Sequence, residues 1–579
     1  MKQLILPCVL GVLVLAACKP QAPASDGKPA STTDVAQATA FQPAINAADF
    51  AQHVRTLASD EFEGRGPGSA GEEKSVVYIE AQFKRLGLKP GNGDSYFQTV
   101  PMVETVADEN VSLKLDIAGE PRELKFGSDM VVGTRTGQPE VKLDGSDLVF
   151  VGYGVNAPEQ NWNDYAGVDV KGKTVVMFVN DPGFHQQDPA LFEGNRMTYY
   201  GRWTYKFEEA ARQGAAAALI IHDTEGASYG WEVVKNSWSG AQFDLRAADD
   251  PAPRLQVQGW ITGDVARSLL SLLGQNLDAL YAAAGKRGFK AIPLKAKASI
   301  DLKSRISEKS SRNVIARLDG AKRPDEAIVY MAHWDHLGKH AHEADEHGPA
   351  SSLENNAEDT IYNGAVDNAT GVAGVLEIAE AFVHQQPKPD RSLVFLAVTL
   401  EESGLLGSRY YVAHPVVPLD KTVAVVNLDA MPVIGKAHDM TVVGFGSSEL
   451  EDILRRIAQQ QGRTLHAEAT PEDGFYFRSD HFNFARAGVP ALYAKGGDDL
   501  IGGGTTAGRA AQVDYRDHRY HKPSDEFDPA WKLDGVIQDL EALYGVGREL
   551  AQSATWPLWY EGNAFRSAQL RLRDTAVAK

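Results

Sequence analysis

The chain has 579 residues, enough for more than one hydrophobic core, since domains typically hold about 100–200 residues. Its composition, with 43% hydrophobic and 23% charged residues, is that of an ordinary globular protein. The net charge of −19 argues against nucleic acid as the main partner, because phosphate binding requires a basic surface.

The first residues have the form of a targeting signal. Lys2 is followed by an apolar stretch that is too short for a comfortable membrane span and that ends in LAAC at Cys18. This ending resembles a bacterial lipobox, which predicts a lipoprotein signal peptide over residues 1–18, export across the inner membrane, and a lipid on Cys18. The protein would then be anchored at the outer membrane facing the periplasm, or secreted; a plain signal peptide is the alternative. Residues 19–44, rich in Pro, Ala, Ser and Thr, are predicted to be a flexible tether.

Cysteine usage limits the metal chemistry that is open to the chain. Cys8 would leave with the signal peptide, so the mature protein would hold Cys18 alone and could form no intrachain disulfide. Any metal ligands must therefore be His, Asp and Glu.

Two helical patterns follow the tether. One helix is predicted to start near Asn46, and a second to run from Ser69 to about Leu86, closed by Gly87. The Gly-rich segment SDEFEGRGPGSAGEE lies between them and predicts a turn.

The sequence changes character between about Val141 and Val257. LVFVGYGV and TVVMFVND predict short strands around a polar segment, and KFEEAARQGAAAALIIHD predicts a helix and then a strand. This order, above all YAGVDVKGKTVV, resembles a protease-associated domain, a β-rich module often inserted in secreted peptidases. The alternative is another α/β segment of the same domain.

Beyond about Ser304 strand and helix patterns alternate, which is typical of a doubly wound sheet. The predicted strands are AIVYMAH, SLVFLAVTL, VAVVNLD and VPALYA. GVAGVLEIAEAFVH and a long segment after Pro529 predict helices, and Ser448 with Glu451 predicts a capping box.

Metal-capable side chains follow three of these strands. AIVYMAH ends in His333, SLVFLAVTL is followed by Glu401 and Glu402, and VAVVNLD ends in Asp429. Open α/β sheets bind ligands at the carboxyl ends of their strands. Any one of these residues alone would be a solvated rim residue, but three strands that end this way, with no Lys or Arg between, favour a metal site.

Two further candidates lie in loops. Asp367 stands in GAVDNATG before the predicted helix, and His521 stands in YHKPSDE before the last long helix. Imidazole and carboxylate ligands without thiolate suit Zn²⁺ or a similar divalent ion. Two such ions, about 3.5–4 Å apart, would also balance the adjacent charges of Glu401 and Glu402.

AHWDHLG, GAVDNATG, EESGLLGS, NLDA and YHKPSDE occur in the order found in metallopeptidase family 28, and the chain resembles these co-catalytic zinc aminopeptidases. The upstream SDE…GR…GS…G segment resembles the family as well. The resemblance implies an α/β fold with a mixed, mostly parallel central sheet flanked by helices, the zinc exopeptidase fold, and an inserted β-rich protease-associated domain. It assigns residues 45–135 and 296–555 to two parts of a catalytic domain, 136–295 to the insert and 556–579 to a tail.

Carried over residue by residue, the resemblance implies two Zn²⁺ ions per chain. The implied metal ligands are His333, Asp367, Glu402, Asp429 and His521. His333 and Asp429 would hold one ion, and Glu402 and His521 the other. Asp367 would bridge them and be followed by a cis peptide bond.

Three more residues receive roles from the resemblance. Glu401 would be the general base, taking a proton from the metal-bridging water and passing it to the leaving amine. Asp335 would hold the His333 imidazole in its ligating tautomer. Tyr476, in GFYFRSDHFNF, would donate a hydrogen bond to the tetrahedral oxyanion; a packing aromatic is the alternative.

The remaining polar residues near these motifs are interpreted as supporting ones. Asp480 and His481 are expected to support their loop rather than to bind metal. Four histidines in one polar loop favour a solvated rim over a third metal site: His336, His340, His342 and His347.

The resemblance implies an enzyme, a zinc exopeptidase that removes N-terminal residues from peptide substrates. A carboxypeptidase of the glutamate-carboxypeptidase type stays open; it would need arginines for the terminal carboxylate of the substrate, and the candidates are Arg478, Arg509, Arg516 and Arg519. A glutaminyl cyclase uses one zinc ion, and a catalytically inactive binding relative lacks ligands, so the full ligand set argues against both. The sequence predicts no particular oligomeric state.

Overall fold

The structure, a computed structural model, describes residues 41–117, 119–339 and 359–577. The signal peptide with Cys18, the tether up to residue 40 and three of the loop histidines, His340, His342 and His347, lie outside the described residues. Within these ranges no helix is both long and apolar enough to span a bilayer.

The helices include most of those predicted. The α-helices of the described ranges are α1 (Ala47–Leu57), α2 (Ala70–Arg85), α3 (Trp203–Arg212), α4 (Thr224–Ala227), α5 (Trp231–Trp238), α6 (Gly263–Leu272), α7 (Leu277–Ala284), α8 (Thr370–His384), α9 (Leu406–Ala413), α10 (Leu450–Gln460), α11 (His481–Arg486), α12 (Gly504–His518), α13 (Asp534–Gln552) and α14 (Arg566–Val577). Short 3₁₀ segments are Asp60–Arg65, Pro158–Gln160, Tyr199–Gly201, Leu419–Lys421, Pro471–Asp473 and Phe475–Phe477, and Ala365–Ala369 forms a π-type turn.

The strands belong to two large sheets and two small hairpins. They are β1 (Lys89–Pro90), β2 (Phe97–Ala107), β3 (Ser112–Ile117), β4 (Glu120–Lys125), β5 (Met130–Gly133), β6 (Glu140–Phe150), β7 (Asn156–Ala157), β8 (Trp162–Asn163), β9 (Thr174–Phe178), β10 (Ala217–Ile221), β11 (Ala241–Leu245), β12 (Val257–Ile261), β13 (Ile292–Leu318), β14 (Arg323–His333), β15 (Gly338–Lys339), β16 (Ile361–Tyr362), β17 (Arg391–Val398), β18 (Thr422–Asn427), β19 (Asp439–Val442), β20 (Thr464–Ala467) and β21 (Ala491–Gly496).

The central sheet has the order β11–β2–β13–β17–β14–β18–β21–β19–β20, with β1 also paired to β13. Its four middle strands, β17, β14, β18 and β21, run parallel, and the flanking pairs are antiparallel except β19–β20. The predicted mixed, mostly parallel central sheet flanked by helices is confirmed. Parallel strands are buried on both faces, which explains the continuous apolar runs that predicted them.

Strand β17 shows how the sheet separates two cores. Leu393, Phe395 and Ala397 pack on one face with apolar residues of α1, α2, α8 and α13. Val394 and Leu396 point to the opposite face, where they pack with residues of α9 and α11. Alternation along the strand therefore buries both faces.

The second sheet has the order β4–β3–β13–β6–β9–β10–β12–β5 and its own apolar core. The 27-residue strand β13 belongs to both sheets: residues 292–303 pair with β6 and residues 304–318 pair in the central sheet. Residues 112–133 already pair in the second sheet, so its edges do not coincide with the boundaries at 136 and 295 that we assigned from sequence. Short strands do not show which sheet they will join, because strand pairing is a non-local property.

Candidate metal centre

Three neighbouring parallel strands bring their carboxyl ends to one edge of the central sheet. His333 is the last residue of β14, Glu401 and Glu402 follow β17, and Asp429 follows β18. The Nε2 atom of His333 lies 3.2 Å from Oδ1 of Asp367 and 3.6 Å from Oδ1 of Asp429. These three side chains offer ligand atoms that all lie within 4.8 Å of one another.

A second group lies on the other side of Asp367. The Nε2 atom of His521 is 3.3 Å from Oδ2 of Asp367 and 3.2 Å from Oε2 of Glu402. Asp367 thus presents one carboxylate oxygen to each group. All five side chains that the sequence proposed as metal ligands are brought together, in the two subsets that were predicted.

The chemistry of these donors fits divalent cations. Two imidazoles and three carboxylates converge, and the set holds no thiolate, which suits Zn²⁺. The cations that act on these carboxylates within the described part of the chain include the buried Arg65 and the half-buried Lys495. Buried carboxylates outnumber them, and uncompensated buried charge is costly, so the site fits a divalent metal ion.

The loop that carries Asp367 is held from both sides. The carboxylate of Asp525 accepts hydrogen bonds from the backbone N–H groups of Val366, at 3.1 and 3.2 Å, and of Asp367, at 3.1 Å. The peptide bond between Asp367 and Asn368 is cis, as predicted. Asp525 lies four residues after His521, so the YHKPSDE motif supplies both a candidate ligand and the support of another.

Arg65, from the GR segment upstream, is buried beneath the site. Its guanidinium donates to the carbonyls of Trp334, at 2.9 Å, and Gly364, at 2.7 Å, and further bonds go to Leu57 and Asn363. One side chain therefore ties the chain after His333 to the loop before Asp367. Burial lowers the pKa of Arg65 to about 10, although nearby carboxylates oppose that shift.

His336 corrects the expectation of a solvated loop. It is buried, and its Nδ1 lies 2.6 Å from Oε1 of Glu402, the oxygen that does not face His521. The same ring belongs to a third metal-capable group with Asp367 and Glu402. The sequence signal for a site residue is the position of His336 directly after Asp335 in AHWDHLG. Our prediction groups His336 with the polar segment that follows.

Asp335 and Glu401 are in contact through the backbone. The Asp335 carboxylate accepts a 3.2 Å hydrogen bond from the N–H of Glu401. Nδ1 of His333 faces the main-chain carbonyl of Asp335 at 3.1 Å, whereas the nearer carboxylate oxygen is 3.9 Å away. The contact that would fix the tautomer is thus made by the backbone of Asp335 rather than by its side chain. Glu401 itself offers a ligand atom within 4.8 Å of those of His333 and Glu402.

Tyr476, the predicted oxyanion donor, lies on one face of the central sheet. It is buried in the apolar core of that face, where its ring stands edge-on to His481 at 4.5 Å. It does not line the cavity beside Glu401. The ring packs against Gly444 and the aromatic cluster, and the hydroxyl has no hydrogen-bond partner among the described residues, so the role of Tyr476 stays a prediction.

Asp480 and His481 lie behind the site. Asp480 accepts a 2.6 Å hydrogen bond from the Ser408 hydroxyl, and His481 is buried with no carboxylate of the described residues at hydrogen-bond distance. Ser479 donates a 2.5 Å hydrogen bond to Oδ2 of Asp429, which leaves Oδ1 to face His333. This segment supports the site, as expected.

The carboxylates and imidazoles shift one another's pKa values strongly. Burial raises the pKa of Glu401 well above its usual range, although His333 opposes the shift. Burial opposes protonation of His521, but Glu402 and Asp367 raise its pKa to about 10. The pKa of Glu402 falls to about 2 although burial opposes it, because His521 and His336 favour its charged form.

A cavity of about 300 Å³ adjoins the two glutamates. Its lining includes Glu401 and Glu402, from the loop after β17, and Arg202 and Trp203, at the start of α3. Ligand pockets usually measure about 300–1,000 Å³, so this one suits a small ligand.

Residues 313–544 match the sequence model of peptidase family M28. A probable zinc metalloprotease of Pyrenophora teres f. teres is 36% identical over 96 residues, 17% of this chain and 17% of that protein. A glutamate carboxypeptidase 2 homolog of Caenorhabditis elegans is 28% identical over 212 residues, 35% of this chain and 23% of that protein. The chain thus spans about a sixth to a quarter of the length of these curated relatives. The solved structure of an aminopeptidase from Aneurinibacillus sp. strain AM-1 is 21% identical, with a TM-score of 0.46 over 88% of this chain and 95% of that one.

Proposed function

We propose that the chain is a member of peptidase family M28, whose sequence model its residues 313–544 match, and that it is a zinc exopeptidase that hydrolyses N-terminal residues from peptides. One observation carries the proposal: five imidazole and carboxylate ligands converge in two subsets that share Asp367, with Glu401 beside them. An inactive binding relative would lack part of this set, and none of its members is missing.

The residues that would hold the two ions are those of the two subsets. His333 and Asp429 would hold one ion, Glu402 and His521 the other, and Asp367 would contact both. When bound, the ions would polarise the scissile carbonyl and make the attacking water more acidic.

Glu401 is the proposed general base. Its carboxylate would accept a proton from the attacking water and donate it to the departing amine, which restores the base for the next turnover. Its backbone N–H is held by the Asp335 carboxylate, and the neighbouring Glu402 is held by His336, so the two adjacent glutamates are directed by separate partners.

A peptide panel tests the reaction class. The metal-free protein and the zinc-restored protein would be assayed on peptides that are free, blocked at the N-terminus, or blocked at the C-terminus. We expect zinc-dependent cleavage that N-blocking abolishes and C-blocking does not. Cleavage of N-blocked peptides from the carboxyl end would overturn the aminopeptidase assignment.

A carboxypeptidase of the glutamate-carboxypeptidase type is the second candidate. The observation that favours it is Arg478, which lines the cavity next to Glu401. Two of the other three candidate arginines are engaged with carboxylates on the surface, Arg509 with Asp498 and Arg516 with Asp517. Cleavage of the N-blocked peptides in the same panel would identify this activity.

Two further proposals concern the rest of the chain. The second sheet is proposed to be a protease-associated domain that narrows access to the cavity, since Arg202 and Trp203 form one of its walls. Turnover that rises with substrate length, up to folded proteins, would contradict this role.

A lipid on Cys18 is proposed to anchor the protein to a membrane. In cell fractionation, Cys18→Ala should move the protein to the soluble fraction.

A further inference from the structure

Six arginines line the cavity beside Glu401 and Glu402, and they divide into two classes. Four of these arginines have a carboxylate or a carbonyl oxygen as a partner. Arg486 donates to both carboxylate oxygens of Glu208, at 2.9 and 2.8 Å. Arg254 and Arg409 share Asp244 and Asp250, and Arg135 donates to the carbonyl of Phe243 at 2.9 Å.

Arg202 and Arg478 form the other class. Across residues 41–117, 119–339 and 359–577, neither guanidinium has a carboxylate within ion-pair distance. The Nε atoms of both are shielded from solvent and have no hydrogen-bond partner in the described structure. The polar contact of Arg478 is a long one, 3.4 Å from Nη2 to the Ser228 hydroxyl.

These two arginines lie close enough to repel each other. Burial and, to a smaller extent, the positive charge of Arg478 together lower the pKa of Arg202 to about 10. Arg202 comes from the second sheet's region and Arg478 from the region of the central sheet, so the unpaired charge is assembled across the cavity. Holding two guanidiniums near each other without a counter-ion is unfavourable unless an anion completes the site.

The N-terminus of α3 adds to this positive surface. Arg202 is its N-cap residue, no side chain caps the helix, and Trp203 and Thr204 of its first turn line the same cavity. The first N–H groups of a helix are unpaired and carry the positive end of its dipole, so they favour an anion. Planar guanidiniums match a carboxylate through paired hydrogen bonds.

We propose that Arg202 and Arg478, with the start of α3, form a subsite that binds a carboxylate of the substrate on the leaving-group side of the scissile bond. The inference rests on the proposed peptidase function. It makes the preferred substrates short peptides whose free C-terminus reaches the arginines, or peptides with Asp or Glu in the leaving residue. The 300 Å³ cavity, at the lower end of ligand pockets, agrees with a short substrate.

The test compares matched substrates with and without the carboxylate. Leu-Gly-Gly against Leu-Gly-Gly-amide reports the terminal carboxylate, and Leu-Glu-amide against Leu-Gln-amide reports a side-chain carboxylate. We expect the wild-type protein to prefer the acid in one of these pairs by about 10- to 100-fold in kcat/KM, the range for hydrogen bonds to a charged group. The pair that shows the preference identifies the source of the carboxylate.

Arg202→Gln and Arg478→Gln should each reduce that ratio towards one. The ratio is measured within one preparation, so a partly folded variant still reports it. Arg486→Gln is the matched control, an arginine of the same cavity that Glu208 already neutralises, and it should keep the wild-type ratio. Ratios near one in the wild-type protein, or unchanged ratios in both variants, would overturn the subsite.

A binding measurement separates this inference from the proposed function. Calorimetric titration with N-acetylglycylglycine and N-acetylglycylglycinamide needs no turnover. Tighter binding of the acid to the wild-type protein, lost in Arg202→Gln and Arg478→Gln, would support the subsite even if no peptide were hydrolysed. Equal binding of acid and amide would refute the subsite while leaving an active aminopeptidase intact.

Discussion

Two acidic clusters border the same cavity and differ in how their charge is balanced. Asp244 and Asp250 face the guanidiniums of Arg254 and Arg409, so each carboxylate has a cation of the protein itself. Asp367, Glu402 and Asp429 face imidazoles and one another instead. The first cluster is balanced by arginines, whereas the second is faced by imidazoles that are themselves candidate metal ligands. Acidic residues alone therefore do not indicate a metal site; the type of residue that faces them does.

The largest expected effect lies in the second cluster. Glu401→Gln removes the proposed proton acceptor but keeps the shape of the side chain, so kcat should fall by about 10²–10⁴-fold. Zinc content, measured by elemental analysis, should stay as in the wild-type protein. Glu402→Gln is the paired control and should lower zinc content as well. Near-normal turnover of Glu401→Gln would show that another group takes the proton.

Asp367→Ala tests the residue that both subsets share. Because its two carboxylate oxygens face His333 and His521 separately, its loss should weaken binding at both positions. We expect less than one zinc ion per chain after dialysis against zinc-free buffer. Two zinc ions retained by the variant would refute the bridging role.

The first cluster should respond in stability rather than in metal content. Asp250→Ala removes one carboxylate partner from Arg254 and one from Arg409. The free energy of unfolding should fall by about 1–3 kcal/mol, since both ion pairs of Asp250 are only partly exposed. Chemical denaturation measures the loss. Zinc content should not change, and a loss of zinc in this variant would mean that the two clusters are not independent.

The smallest expected effect concerns the protonation of two histidines, His521 and His53. His521 sits among carboxylates that raise its pKa, whereas burial and Arg85 lower the pKa of His53 to about 3. His53 contacts the Tyr78 hydroxyl at 2.7 Å and faces Glu377 at 3.9 Å. Between its folded pKa and the unfolded value of 6.5 the unfolded chain binds the extra proton. The stability that neutral His53 provides is therefore full above about pH 6.5 and declines as the pH falls towards 3.

The slope checks this interpretation. In the window between these two pKa values, a single group of this kind contributes about 1 kcal/mol per pH unit. His53→Gln should show a flatter decline of unfolding free energy between pH 6 and pH 4 than the wild-type protein. Identical slopes would mean that His53 is already protonated in the folded state.

Local signals predicted the local structure well. Asn46 caps α1 by accepting hydrogen bonds from Ala48 and Asp49, and Ser69 caps α2. The Glu451 carboxylate accepts a 3.4 Å hydrogen bond from the N–H of Ser448, which is half of the predicted capping box, although the Ser448 hydroxyl does not cap α10. Strand ends are also local, so the ligand positions after β14, β17 and β18 could be predicted.

Features that depend on distant parts of the chain could not be predicted in the same way. The division of β13 between two sheets depends on its partners β6 and β2, which lie far away in sequence. His336 looked like part of a polar loop because its contact with Glu402 joins residues 66 positions apart. That Arg202 has no carboxylate partner among the described residues can be found only by comparing the partners of all the arginines that line the cavity.

We propose that the second cluster balances its charge with two metal ions. The most direct measurement is the zinc content of the wild-type protein after metal removal, zinc titration and gel filtration. We expect two zinc ions per folded chain, with peptide turnover restored in proportion to occupancy. A protein that binds no zinc, or that reaches full turnover while metal-free, would contradict it.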